Sequence, residues 1–151
     1  MYPGFYLPIA TALSTGAMSA LRAVFCLIHP MEFSMTTIFL EDTFDSAHWQ
    51  PNVPPGHKCA ELHGHTYKIR IEVTGEVDAV TGWVVDFAVI KDAWSKLKAT
   101  LDHHCLNKIA GLENATCENL LEYVWGRLEL PGLSGVEIRE TEHCGASRRA
   151  A

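Results

Sequence analysis

Basic charge is what this sequence has little of: 12 Lys and Arg stand against 18 Asp and Glu, a formal net charge of -6. Nucleic acids and anionic membranes are bound through clustered cationic side chains, so the deficit argues against a general binder of either and for a small-molecule partner. Cysteine is sparse and odd in number, with Cys26, Cys59, Cys105, Cys117 and Cys144 scattered along the chain. That is not the even framework of a small disulfide-stapled secreted protein, and a reducing, cytoplasmic setting is expected. A Gly-rich phosphate loop is missing, as are internal repeats and low-complexity tracts. Residues 1–34 carry no charge before Arg22, yet Pro3, Pro8 and several Gly, Ser and Thr dilute them too far for a membrane span.

Nor does that stretch have the basic start of a secretory signal, and Ala17-Met18-Ser19-Ala20 is a weak cleavage site without one. The expectation is an N-terminal extension over 1–34, disordered or not native, with Met31 or Met35 as the true first residue. A single domain over 35–151 would follow. A chain of 151 residues that is 48% apolar is long enough for one core and no more.

Residues 57–65, His57-Lys58-Cys59-Ala60-Glu61-Leu62-His63-Gly64-His65, gather three of the chain's 8 His and one of its 5 Cys. Neutral imidazole is the commonest protein ligand for a transition metal, so this density points to a metal centre. His63 and His65 head a segment in which Tyr67, Ile69, Ile71 and Val73 alternate with Lys68, Arg70, Glu72 and Thr74. The period predicts a half-buried strand over 63–77, and a strand that begins at His63 turns both imidazoles inward. Gly64 between them leaves the opposite face open to close backbone approach. A less regular alternation over 36–48 puts Ile38, Leu40, Phe44, Ser46 and His48 on one parity, with Asp42 as the exception. Antiparallel pairing of the two segments would bring His48 to His63 and His65.

Downstream, the pattern predicts a hairpin loop over 77–82, a short strand over 82–86 and a helix over 87–101. Asp86 is placed to cap that helix, and Phe87, Ile90, Trp94, Leu97 and Leu101 make its apolar stripe. A second helix is predicted over 116–129, capped by Thr116 with Glu118 in its first turn and stopped by Pro131-Gly132. A strand over 134–143 closes the chain. Two one-faced helices and a largely antiparallel, four-stranded sheet make a two-layer α+β domain, and open sheet edges favour oligomerisation.

The motifs, in their order, resemble the 6-pyruvoyl/6-carboxytetrahydropterin synthase family over roughly residues 36–147. The elements are Ala47-His48, Gly56-His57-Lys58-Cys59, Leu62-His63-Gly64-His65, Thr74-Gly75-Glu76-Val77, Gly82-Trp83-Val84-Val85-Asp86-Phe87, Leu101-Asp102-His103-His104, Leu112-Glu113-Asn114 and Arg139-Glu140-Thr141. The resemblance implies the tunnelling fold, with two helices on one face of the sheet and units assembled into a homohexamer. It further implies Zn2+ on His48, His63 and His65, a catalytic base at Cys59 and a relay through Asp102 and His103. Glu140 would anchor and act on the substrate, 7,8-dihydroneopterin triphosphate. The three-residue gap between Cys59 and His63 looks like the bacterial 6-carboxy branch of queuosine biosynthesis. A 6-pyruvoyl synthase using the same substrate is the alternative, and a non-catalytic pterin-binding or structural zinc protein is an alternative of another class.

Several roles stay open on the residues alone. Strand parity permits Cys59 either as a fourth zinc ligand in a closed site or as a free thiol beside an open one. His57 and Lys58 next to it favour the thiolate. Asp102 reads as a turn cap or as the carboxylate that orients His103. Glu140 shares parity with Val136 and Ile138, so a strand would carry it inward, where an unpaired charge is costly. A pterin's adjacent N–H donors would satisfy that carboxylate in bidentate fashion. Lys58, Lys68, Arg70 and Arg139 are the candidates for the triphosphate.

Overall fold

A computed structural model describes residues 35–151; the expectations for 1–34 lie outside the described residues. Two 14-residue strands, β1 (Met35–His48) and β2 (His63–Glu76), form an antiparallel hairpin in continuous register from Met35 opposite Glu76 to His48 opposite His63. Then follow α1 (Phe87–Leu101), the two-residue β3 (His104–Cys105), α2 (Cys117–Trp125), β4 (Leu133–Arg139) and β5 (Gly145–Arg149). The sheet order is β3-β1-β2-β4-β5, antiparallel throughout except where Ser46 and Ala47 run parallel to His104 and Cys105.

The α+β layering is as expected, but the sheet has five strands rather than four. The expected strand over 82–86 is a loop. Asp78 accepts hydrogen bonds from the Val80 and Thr81 backbone N–H groups and the Thr81 hydroxyl, and its own N–H donates to the Trp83 carbonyl at 2.8 Å. That Asx-type turn, with Gly82 at φ +75°, closes the chain on itself before it can extend. The expected strand over 134–143 stops at Arg139. Thr141 Oγ1 accepts from the His143 and Cys144 N–H groups, so residues 140–144 reverse the chain and return it as β5.

Both predicted helix caps form: Asp86 accepts from the Ala88 N–H at 2.8 Å, and Thr116 from the Asn119 N–H at 3.2 Å. Helix α2 is shorter than the 116–129 expected, because the chain tightens at Gly126, yet Leu128 beyond it remains buried. Phe87 is exposed, so the stripe that α1 lays on the sheet is Ile90, Trp94, Leu97 and Leu101. Together the two helices cover a core that includes Phe44, Tyr67, Ile69, Ile71, Val136 and Ile138 on the strands. Asp42, the parity exception, turns to the helix side, where Trp94 Nε1 and Lys98 Nζ both donate to its Oδ2 at 2.8 Å.

Candidate metal centre and surrounding site

Hairpin register builds the centre. Pairing His48 with His63 and Ser46 with His65 leaves all three imidazoles on the helix-side face at one end of the hairpin, because side chains directly opposite share a face. Ring centroids are 4.5 Å apart for His48 and His63, 5.2 Å for His48 and His65, and 5.1 Å for His63 and His65. One ligating nitrogen from each lies within 4.8 Å of the others, as a shared metal ion requires. Gly64 faces the other way. A Cβ there would sit 3.2 Å from the Ser46 carbonyl, the close approach anticipated from its position.

Hydrogen bonds fix the tautomers of two rings. His48 Nδ1 is 2.5 Å from the Ala115 carbonyl and His63 Nδ1 is 2.8 Å from the Glu61 carbonyl. A carbonyl only accepts, so each Nδ1 carries a hydrogen and Nε2 is the nitrogen left to offer a lone pair to a metal. This outer-shell pattern orients metal-ligating histidines. His48 is fully buried, and its Nε2 has no hydrogen-bond partner among the described residues. Burial, with the neighbouring His48 and His63 rings adding to it against the carboxylate of Glu140, holds His65 below the ordinary imidazole value and favours its neutral form. Three imidazoles, one with a buried Nε2 that has no partner among the described residues, are a donor set suited to a borderline-soft divalent ion.

Cys59 lies in a 3-10 turn, Lys58–Ala60, within the connection between His48 and His63. Its carbonyl accepts from the Gln50 N–H at 2.8 Å, and its N–H donates to His57 Nδ1 at 3.2 Å, which ties the turn to the histidine end of the hairpin. The thiol is free and half-buried, and its sulfur lies outside the three-nitrogen cluster. Glu140 reaches the same region from the end of β4: Oε1 is 3.9 Å from His48 Nε2 and is buried without a hydrogen-bond partner. The carboxylate therefore turns inward although the strand has already ended.

Asp102 and His103 are placed elsewhere. Asp102 Oδ1 accepts from the Asp45 N–H at 2.8 Å and lies 3.1 Å from His103 Nδ1, and the three side chains form their own cluster. Asp45 pairs with Thr66 on the sheet's outward face, so this group and the three imidazoles occupy opposite faces of β1. The hydrogen bond from Asp45, with His103 adding to it, holds the Asp102 carboxyl below its usual range. His103 has φ +59°, the one non-glycine residue with positive φ among those described, and its side chain is 77% exposed. Of the expected phosphate ligands, Lys68 pairs with Glu142, Arg70 with Glu41 and Glu72, and Arg139 with Glu137. These residues sit on the outward face as well.

Two contributors were not read from the sequence. The Ala115 carbonyl has no side-chain signature. Asn107 clasps the residue after His48, accepting from the Trp49 N–H at 2.9 Å and donating to the Trp49 carbonyl at 2.8 Å.

A sheet backed by two helices, with three convergent imidazoles at one end of its inner face, defines the class as a tunnelling-fold enzyme with a candidate metal centre. The match is specific: the 6-pyruvoyl tetrahydropterin synthase family model covers residues 37–151, and the chain belongs to that family. A 6-carboxy-5,6,7,8-tetrahydropterin synthase of Synechocystis is 37% identical over 115 residues, covering 71% of this chain and 88% of the relative. A dihydroneopterin monophosphate aldolase of Pyrococcus furiosus is 35% identical over 97 residues, covering 63% and 78%. Among solved structures, the 6-pyruvoyl tetrahydropterin synthase of Caenorhabditis elegans superposes with a TM-score of 0.72 at 27% identity, over 79% of this chain and 98% of that one.

Proposed function

We propose that the protein is a zinc-dependent carbon-carbon lyase that converts 7,8-dihydroneopterin triphosphate to 6-carboxy-5,6,7,8-tetrahydropterin, with release of acetaldehyde and triphosphate, on a route to queuosine and other 7-deazapurines. The observation that carries this reading is the His48, His63 and His65 cluster, with two Nε2 lone pairs set free by backbone carbonyls and the Cys59 sulfur outside it. The name of the Synechocystis relative and the three-residue gap between Cys59 and His63 support the choice of product.

His48, His63 and His65 would hold the ion, which when bound supplies Lewis acidity toward the hydroxyl oxygens of the substrate side chain. Cys59, as thiolate, takes the proton from the substrate carbon. Glu140 accepts the pterin's paired N–H donors, the partner its buried oxygen lacks. The Asp102–His103 pair stands on the opposite face of β1 from the imidazoles, so a relay through it serves the Cys59 of a neighbouring copy in a homo-oligomer. Lys58, adjacent to Cys59, remains a candidate for the triphosphate.

Turnover of dihydroneopterin triphosphate, with added zinc and with chelator, tests the reading, and product analysis separates the 6-carboxy from the 6-pyruvoyl outcome. Cys59→Ala is expected to keep its zinc and lose about 10²-fold or more in turnover. Loss of zinc in that variant would make Cys59 a ligand and the site a closed structural one. Pterin binding without turnover by the zinc-loaded protein would leave a binding protein instead of an enzyme.

A further inference from the structure

Three buried side-chain atoms lack a hydrogen-bond partner among the described residues: His48 Nε2, Glu140 Oε1 and the Tyr67 hydroxyl. The proposed function accounts for the first through the metal and for the second through the pterin, and it leaves the third unused. Tyr67 is fully buried, two residues beyond His65 on the same face of β2. Its ring lies edge-on to His65 and His48, at centroid distances of 5.5 and 6.0 Å, and stacks on Phe44 at 5.1 Å. With Ile69 opposite Ile138 and Lys68 opposite Arg139, the next step of the register sets Tyr67 across from Glu140 just past the end of β4, and the Glu140 carboxylate and the Tyr67 ring both lie beside His48.

Packing alone does not require that hydroxyl. Phenylalanine would fill the same volume against Phe44 without burying an unpaired polar group, which is destabilising in a dry interior. A donor without an acceptor and an acceptor without a donor thus both lie beside His48, and pairing them satisfies both. A phenol-to-carboxylate hydrogen bond is charge-assisted and among the stronger kinds.

Building on the pterin reading, we propose that Tyr67 is a positioning residue whose hydroxyl donates to the Glu140 carboxylate in the ligand-bound pocket. The bond fixes the carboxylate plane so that its remaining lone pairs meet a ligand carrying two adjacent N–H donors. Tyr67 thus governs recognition of the pterin edge and takes no part in holding the metal.

The test uses the full-length, zinc-loaded protein and neopterin, a fluorescent pterin, titrated into wild type, Tyr67→Phe, Glu140→Gln and the double variant. Tyr67→Phe is expected to weaken neopterin binding about tenfold, with zinc content unchanged and the ligand-free melting temperature equal or higher. In the Glu140→Gln background the same change should cost less than about twofold, because the acceptor it acts through has lost its charge. Binding by Tyr67→Phe within twofold of wild type, or losses that simply multiply in the double variant, would overturn the proposal. So would loss of zinc or a lower melting temperature in Tyr67→Phe, either of which makes the tyrosine a metal-supporting or packing residue. A wild-type protein that takes up zinc and binds no neopterin removes the pterin reading and this inference together, a result distinct from equal binding by the two.

Discussion

His48 carries opposite duties on its two ring nitrogens: Nδ1 gives its hydrogen to the Ala115 carbonyl, and Nε2 keeps a lone pair in a place that water does not reach. Replacing it removes both a candidate metal ligand and the anchor to the chain preceding α2. His48→Ala is therefore expected to take up no zinc by elemental analysis and to unfold at lower urea concentration. Farther along the sheet's inner face, Asp42 shows how a carboxylate survives on the core side. Burial opposes its ionisation, but hydrogen bonds from Lys98 and Trp94 outweigh that and hold its pKa below the ordinary value. A carboxyl depressed in the folded state contributes stability that is present above its unfolded value and is lost as pH falls through the folded one. Asp42→Asn should accordingly lower the urea midpoint at neutral pH and flatten its decline below about pH 4, measured by unfolding between about pH 2.5 and 7.

The hairpin of β1 and β2 is the element on which the site depends, because its register decides which residues share a face. A slip of one residue would send all three imidazoles to the outward side. Turns elsewhere serve the same end. Gly132 has φ +72°, and a Cβ on it would come within 2.6 Å of the Thr74 carbonyl oxygen, whose own residue donates its N–H to the Gly132 carbonyl at 2.8 Å. Gly132→Ala combines backbone strain with a backbone clash and is expected to destabilise the protein by about 1–3 kcal/mol, read as a lower melting temperature. The turn over 140–144 likewise anchors a site residue. Within it the Glu140 N–H donates to the Cys144 carbonyl at 3.0 Å, which ties the root of this carboxylate as the chain leaves β4.

For the whole molecule, the sheet's edges and the separation of the two clusters point the same way. Beyond Ser46 and Ala47, β1 has no partner on its outer side among the described residues, and β5 has none beyond β4. Such edges invite pairing with further copies. No helix among the described residues is long and apolar enough to cross a membrane. If the Asp102–His103 pair of one copy serves Cys59 of another, two inactive variants should complement. Cys59→Ala mixed one to one with Asp102→Ala, dissociated and reassembled, is expected to recover about a quarter of wild-type turnover, the share of sites that receive both intact halves. No recovery, with mixed oligomers shown by mass, would place the relay within one chain or remove it.

Strand alternation over 36–48 and 63–77 was enough to make His48, His63 and His65 share a face, because a period of two leaves a side chain only two directions. Both helix caps and the inward turn of Glu140 were likewise legible, the last by parity although its strand ends one residue earlier. The loop over 77–82 was legible as well, but its continuation through 82–86 in place of a strand and the return at 140–144 were not, since Asp78 and Thr141 compete for backbone N–H groups in ways that hydrophobic pattern does not encode. Local sequence therefore determined which residues are the candidates for the chemistry. Only the tertiary structure decided that the imidazoles gather on one face of β1 and Asp102 with His103 on the other. That division follows from where α1 ends against β1, a contact between segments more than fifty residues apart.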